Sequence, residues 1–508
     1  MQSFLLIILG VVATIALLYA LMKFLHYRAN IERALNMVFL SVRIPKIESK
    51  EDREVEGEQY STQKDFKEIA GGVMSQFYDS LFSIYNSRYQ KYYKGQSFLS
   101  FEYAVIEGMV HFFIVCPAEL VSIIEKQLTA FYPQAYVEQV EDYNIFQPNG
   151  KVNARFMVPS KPYWYPIKTY EEMNADPLNG IINSLSKIGK DEGAAIQIMI
   201  RPMKQGWQKR GQKEANKIFQ NKKSSGFSWY NPISWLASLF ELLVKGESVG
   251  QQSADASERT TPLTDEQVKT METKNSRPGF EVLIRVISSA KTQHASLNNL
   301  TSIVGAFSQY NTTNCNSFID TRWHHKRSLV KNFIFRNFRR GLLQYLHVPK
   351  CIFSSQELAG LFHPPNIRFN KYPSIKWQNF KIAPSPPNTP DEGILLGHNI
   401  YRGEKKEIRM KTEDRFRHFY VIGQTGTGKS SVLQVMIRQD LANGNGLCVI
   451  DPHGSLIEDI LPFVPRSRAD DVIYFDPSDM ARPLGLNLLE GDDWEMKERV
   501  ALDAMNIM

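Results

Sequence analysis

One stretch of the chain has residue types at a spacing that can do chemistry. Gly423-Gln424-Thr425-Gly426-Thr427-Gly428-Lys429-Ser430 fits G-x-x-x-x-G-K-[ST] at every fixed position. Glycines let the backbone curl until successive N–H groups point at phosphate oxygens. The N-terminus of a following helix adds partial positive charge. In this arrangement Lys429 reaches the β- and γ-phosphates and Ser430 sets its hydroxyl on Mg²⁺. Ser431 sits beside them as a further nucleotide contact. ATP and Mg²⁺ are therefore the expected cofactors. A glycine-rich turn that binds nothing is the plain alternative, and the flanking pattern argues against it.

That pattern supplies the elements the loop needs. Residues 417–422 (RHFYVI) read as a short buried strand, and Val432, Leu433, Val435, Met436, Ile437 and Leu441 follow at helical spacing. A second strand, Leu447 to Ile450, ends in Asp451-Pro452-His453-Gly454. A carboxylate at a strand's C-terminal end faces the crevice of an open α/β sheet. Asp451 is thus a candidate catalytic residue, serving the Mg²⁺ shell or the attacking water. A turn-forming Asp-Pro fits the same position equally well. Asp451 lies 22 residues after Lys429, so its strand need not be the usual Mg²⁺-binding one. His453 reads as structural. A third strand, Asp471 to Phe475, precedes Asp476-Pro477, and Asp492-Asp493-Trp494-Glu495 reads as the cap of a last helix.

The runs DRFRHFYVIGQTGTGKSSVL, GLCVIDPHGSLIEDIL, DDVIYFDPSD and PLGLNLLE resemble the HerA/FtsK-like ATPases that pump DNA. Within them they are most similar to the TraG/TraD-like coupling proteins of type IV secretion and conjugation. The resemblance covers about residues 393–508. It implies a RecA-like P-loop α/β domain, ATP hydrolysis, and a hexameric ring of identical chains threading DNA. It also implies partners in a secretion apparatus. By carry-over, Gly423, Gly426, Gly428, Lys429 and Ser430 match the nucleotide loop and Asp451 the acidic strand end. Two departures stand out. Coupling proteins commonly have two membrane helices, and one is found here. Only 79 residues follow Lys429, whereas such a core needs about 200. The expectation is an incomplete motor, the front part of a longer protein. Its second acidic strand, sensor and trans-acting arginine are unassigned, and the fragment is expected to bind nucleotide weakly without hydrolysing it.

Residues 4–22 (FLLIILGVVATIALLYALM) carry no charge and nearly span a bilayer core of about 30 Å as a helix. A cleaved signal peptide needs a positive leading segment, which Met1, Gln2 and Ser3 do not supply. Lys23, Arg28 and Arg33 follow the span, so that side faces the cytoplasm. The expectation is a single-pass protein of the inner or plasma membrane with its bulk in the cytoplasm.

The 508-residue length allows about three domains. Apolar residues at 43% and charged residues at 22% exclude wholesale disorder. Cys116, Cys315, Cys351 and Cys448 lack metal or disulfide spacing, which excludes a zinc ribbon and a disulfide scaffold. The net charge of +7 permits an acidic partner without demanding one.

Between anchor and P-loop, 30–245 reads as a membrane-proximal α+β region and 280–382 as a second α+β segment. Phe66, Ile69, Val73, Phe77 and Leu81 predict a helix over 61–85. Strands over 99–105 and 110–115 flank a Glu107-Gly108 turn, Pro117 opens a helix to about Tyr132, and a strand follows near 135–140. That order suggests a ferredoxin-like layer. The strands AIQIMIR and FEVLIRV resemble each other, as an internal duplication would make them. Residues 246–279 are polar and read as a flexible loop. Residues 383–392, opening on the proline-rich APSPPNTP, read as a stiff linker, and 393–508 as the front part of the P-loop domain.

Two basic stretches remain. Residues 201–223 hold eight Lys/Arg against one acid, Glu214, and precede the aromatic, apolar run 227–244. Such a pair lies on an anionic membrane surface, or is a solvated face beside a core helix. Residues 322–340 hold seven Lys/Arg and no acid, interleaved with Trp323, Phe333, Phe335 and Phe338. Charge with stacking rings suits nucleic acid, or the rings are core and the charges solvated. His324-His325 has no partner spacing for a metal.

The leading expectation is a membrane-anchored ATPase coupling hydrolysis to DNA translocation. A secretion-assembly ATPase acting on protein is the nearest alternative. A non-catalytic membrane scaffold with a nucleotide-binding module is the alternative from another class.

Overall fold

A computed structural model gives the fold. It describes residues 14, 17, 21, 28–29, 31–46, 66–86, 95–204, 206–220, 262–321, 326–338, 351–378, 383–401, 404–481 and 493–507. The chain divides into two compact units, Met1–Ala383 and Pro384–Met508.

The first unit is built on one antiparallel sheet. Its first half runs β1 (Met37–Arg43), α1 (Val73–Ser80), β2 (Leu99–Ile106), β3 (Met109–Pro117), α2 (Val121–Phe131) and β4 (Tyr136–Val140). The second half runs β5 (Lys151–Pro159), α3 (Leu178–Leu185), β6 (Gly193–Pro202), the inserted α4 (Gly206–Phe219) and α5 (Pro262–Asn275), then β7 (Gly279–Ala290), α6 (Gln293–Ala306) and β8 (Phe318–Thr321). The strand order is β4-β1-β3-β2-β6-β7-β5-β8. Each half thus repeats β-α-β-β-α-β with the order fourth, first, third, second, and the two halves meet at their second strands. AIQIMIR and FEVLIRV are not the repeated pair. They are β6 and β7, antiparallel neighbours from Gly193↔Ser289 to Pro202↔Phe280. Their likeness reflects a shared environment, both being buried central strands of the sheet.

The expected segments near 99–140 fall on β2, β3, α2 and β4. Glu107 and Gly108 both have positive φ, as a two-residue hairpin turn requires. The expected 61–85 helix is described from Phe66 on. It begins as a π-helical stretch, Lys67–Gly72, and closes in a 3₁₀ turn, Leu81–Ile84.

Both sheet faces are covered. On one face α1, α2, α3 and α6 enclose the main core, in which Phe77, Phe101, Ile198 and Ile284 are fully buried. On the other, α7 (Lys326–Ile334) and the 141–147 connection cover Phe113, Phe156, Met199 and Leu283. Here Phe333 and Phe338 serve as core, and Arg336 is buried. Arg327, Lys331 and Phe335 stay exposed. The stretch 322–340 is thus divided between core and surface, and Arg322, Trp323, Arg339 and Arg340 lie outside the described residues. β9 (Ile352–Ser354) pairs with β7 and leads into α8 (Ser355–Leu361), buried along its whole length.

Part of the expected loop 246–279 is helical. Pro262 opens α5, whose Val268 and Met271 pack with Ala215 of α4. A few apolar positions at helical spacing suffice once a partner helix is present, and composition alone underweights them. Residues 246–261 and the 227–244 run lie outside the described residues. So does nearly all of 4–22, and among the described residues no helix is long and apolar enough to cross a membrane.

The second unit holds a hairpin, β10 (Ile394–Tyr401) and β11 (Glu404–Met410), then α9 (Lys429–Ala442), α10 (Ser455–Ile460) and α11 (Trp494–Ile507). The strands expected at 417–422, 447–450 and 471–475 form no ladder: Arg417 lies in a turn, His418 has φ +69°, Asp471 closes a 3₁₀ turn, and Ile422, Ile450 and Ile473 are 81%, 88% and 86% exposed.

Candidate functional site

The P-loop joins the segment ending at Ile422 to α9. Gly423 is required by close approach, since a Cβ there would lie 2.6 Å from Thr427 Oγ1. Gly426 (φ +82°) and Gly428 (φ +93°) adopt the left-handed conformation that L-residues disfavour. Thr427 Oγ1 donates to the Gln424 carbonyl at 2.7 Å, and Lys429 Nζ donates to the same carbonyl at 2.8 Å. The Lys429 ammonium therefore hangs over the loop it belongs to. Gln424, Thr425, Gly426 and Thr427 are exposed, as are Ser430 and Ser431 in the first turn of α9. The unbonded N–H groups of that turn and the ammonium together form an anion-binding end.

The C-terminal half of α9 is pinned at three points, which fixes where its first turn sits. The Gln439 side-chain amide pairs with both backbone groups of Leu395 in β10, at 2.9 and 2.7 Å. Arg415 forms a two-bond pair with Asp440, 2.8 Å from Nη1 to Oδ1. That hydrogen bond and charge hold the Asp440 carboxyl below the usual range. Arg468 donates to the Leu441 carbonyl at 3.5 Å and to the Asn445 carbonyl, just past the helix, at 3.1 Å. None of these was singled out from the sequence. No spacing rule links Arg415 to a carboxylate 25 residues on, and a charged residue near a helix end reads as solvated.

Asp451 is placed differently from the loop. Its Oδ1 accepts from His453 N at 3.1 Å and its Oδ2 from Leu456 N at 2.8 Å, capping the turn into α10. Those backbone N–H groups hold its carboxyl below the usual range. Its two oxygens bond within its own turn, while Lys429 bonds within the P-loop. Gln434 of α9 donates to Asp459 of α10 at 2.8 Å and ties the two turns together. Asp476 likewise accepts from Ser478 in its own turn, and Asp493 from Met496 N at the start of α11.

The residues present fit ATP and Mg²⁺: a loop of left-handed glycines, a lysine over it and an exposed serine hydroxyl at the helix start. Among the described residues no group of three or more His, Cys, Asp or Glu side chains converges on a metal position.

The profile of the central domain of the helicase HerA matches residues 396–500, which span the hairpin, the P-loop and α10. The profile of a domain of unknown function, DUF8128, matches residues 52–378, nearly all of the described double sheet. No curated protein matches the chain. The chain thus belongs to the DUF8128 family and joins that domain to a P-loop ATPase domain of the HerA-like family.

Proposed function

We propose that the chain is a membrane-anchored, cytoplasm-facing ATPase subunit that couples ATP hydrolysis to DNA translocation. On this reading residues 4–22 span the membrane, the second unit is RecA-like, and hexamers of the intact protein work in a conjugation or type IV secretion apparatus. The double sheet is then a pair of ferredoxin-like modules that lies, in chain order, between the span and the motor. The observation that carries the reading is the P-loop itself: two left-handed glycines and Lys429 at the start of a pinned helix, inside the HerA-like match. Bound Mg²⁺ would neutralise phosphate charge as the γ-phosphoryl group transfers. The chain's own part is to hold the phosphates with Lys429 and the first-turn N–H groups, and to offer the Ser430 hydroxyl.

The test is hydrolysis by the intact protein with and without duplex DNA over a range of salt. DNA-stimulated turnover that falls with salt supports translocation of nucleic acid. Turnover indifferent to DNA favours a motor acting on protein. Nucleotide binding without turnover favours the scaffold reading, to which the occupied oxygens of Asp451 lend weight.

A further inference from the structure

The α4–α5 hairpin stands where module one has only a two-residue turn. Glu107-Gly108 joins β2 to β3, whereas the equivalent strands β6 and β7 are joined by residues 203–278. The insertion leaves the sheet at a particular edge. Met37 of β1 pairs with Pro117 of β3, Leu99 of β2 with Ile200 of β6, and Arg201 with Glu281 of β7. The start of β1 and the end of β6 therefore lie on the same edge, three strand spacings or about 14 Å apart. The residues just before β1 are packed there too. Arg33 lies over the Phe98 ring at 5.5 Å, and Ala118 N donates to the Asn36 carbonyl at 3.0 Å. Only fourteen residues separate Met22 from Met37. They reach at most about 50 Å even fully extended, so the apolar segment 4–22 connects to the sheet through the edge that carries the insertion.

The hairpin is held rigidly at that edge. Trp207 packs under Gly279, where a Cβ would lie 2.3 Å from its ring, and Gln208 donates to the Arg277 carbonyl at 3.0 Å. Buried Trp207, Gly211 and Ala215 set the inner face of α4. Lys209 and Lys213 lie on the opposite, exposed face, with Lys204 exposed just before the helix. Phe219 at the end of α4 and Leu263 in the first turn of α5 are exposed. The basic flank of α4 matches an anionic headgroup layer.

We propose that the α4–α5 hairpin docks on the anionic surface of the bilayer that residues 4–22 span, with Lys204, Lys209 and Lys213 on lipid phosphates. This rests on reading 4–22 as a membrane span. The occupant is lipid because the basic face shares its sheet edge with that span.

The full chain is reconstituted into bilayers of phosphatidylcholine alone or with phosphatidylglycerol, and amide exchange of residues 206–219 is followed. Exchange is expected to slow at least about tenfold in the anionic bilayer. The Lys204→Glu, Lys209→Glu, Lys213→Glu variant should lose that protection while keeping nucleotide binding. Equal exchange in both lipids, or an unaffected variant, overturns the docking. Protection by duplex DNA in the neutral bilayer, without any from anionic lipid, overturns it in favour of nucleic acid. Alkaline extraction of the same samples separates the two readings. A chain that washes off overturns the span and the docking with it, and a chain that stays with α4 unprotected overturns the docking alone.

Discussion

At the scale of single residues, the P-loop and the buried charges make separate demands. Lys429→Ala removes a charge-assisted bond to phosphate, the strong class worth about 1.5–3 kcal/mol. Nucleotide affinity measured by calorimetry should fall by at least about tenfold, with the melting curve of the first unit unchanged. Lys274 and Glu357 form an ion pair at 3.0 Å, with side chains 1% and 0% exposed. Glu357 also accepts from Ile167 N and Ser354 N. Lys274→Met strands that carboxylate, and urea unfolding should show a loss of about 3–5 kcal/mol. His363 and Asp176 are a third case. His363 Nδ1 donates to the Ala359 carbonyl at 3.0 Å, and its Nε2 lies 3.1 Å from Asp176 Oδ1. Burial alone would lower the imidazole, but Asp176 raises it above its ordinary 6.5. Burial would likewise raise the Asp176 carboxyl, but His363 holds it below 3.8. The histidine's contribution is full below pH 6.5 and disappears as pH rises through its raised value. The aspartate's is present above pH 3.8 and disappears as pH falls through its lowered value. The stability gap between wild type and His363→Gln should therefore narrow as pH climbs from about 6 to 9. A gap that is constant over this range would show that the pair does not titrate.

At the scale of elements, the sheet seam explains what the sequence could and could not reveal. Hairpin β2–β3 was legible because Glu107-Gly108 separates two apolar runs, and the P-loop because local sterics demand its glycines. The β2–β6 seam was not, since a pairing from Val105↔Ala194 to Leu99↔Ile200, far apart in the chain, leaves no local mark. Nor was the polar row along it. Glu102 faces Gln197, which faces Arg285, and Arg285 Nη1 donates to Gln197 Oε1 at 2.6 Å. Arg336, just past α7, adds a bond to Glu102 at 3.3 Å and one to Asp142 at 2.7 Å. Burial pulls Arg285 down to about 9 despite the Glu102 charge. These residues read as solvated charges until α7 covers them. Helix α8 is the same lesson on the other face, for SQELAGL looks like a surface helix. Its last carbonyls are met instead by buried hydroxyls, from Tyr310 to Gly360 at 2.8 Å, Tyr103 to Leu361 at 3.0 Å and Tyr78 to Phe362 at 3.2 Å. Tyr310→Phe leaves a carbonyl unmatched in the core and should lower unfolding free energy by about 1–3 kcal/mol. A fully tolerated change would mean that α8 has another route to satisfying its end.

At the scale of the whole molecule, the division at Ala383/Pro384 puts the nucleotide chemistry and the double sheet in different compact units. The pinning bonds of α9, from Leu395, Arg415 and Arg468, all lie within the second. The Lys274–Glu357 and His363–Asp176 pairs and the seam all lie within the first. Ligand that binds only the folded second unit stabilises it by about 2.7 kcal/mol at a hundred times its dissociation constant. Calorimetry of the full chain should therefore resolve two transitions, with Mg-ATP raising one and leaving the other in place. Lys429→Ala should abolish the ligand shift of the second unit's transition, and Lys274→Met should lower only the first unit's transition. A single transition that moves with both ligand and Lys274→Met would mean that the two units unfold as one. The P-loop would then be coupled energetically to the DUF8128 domain, and nucleotide state could be sensed at the sheet without any further element.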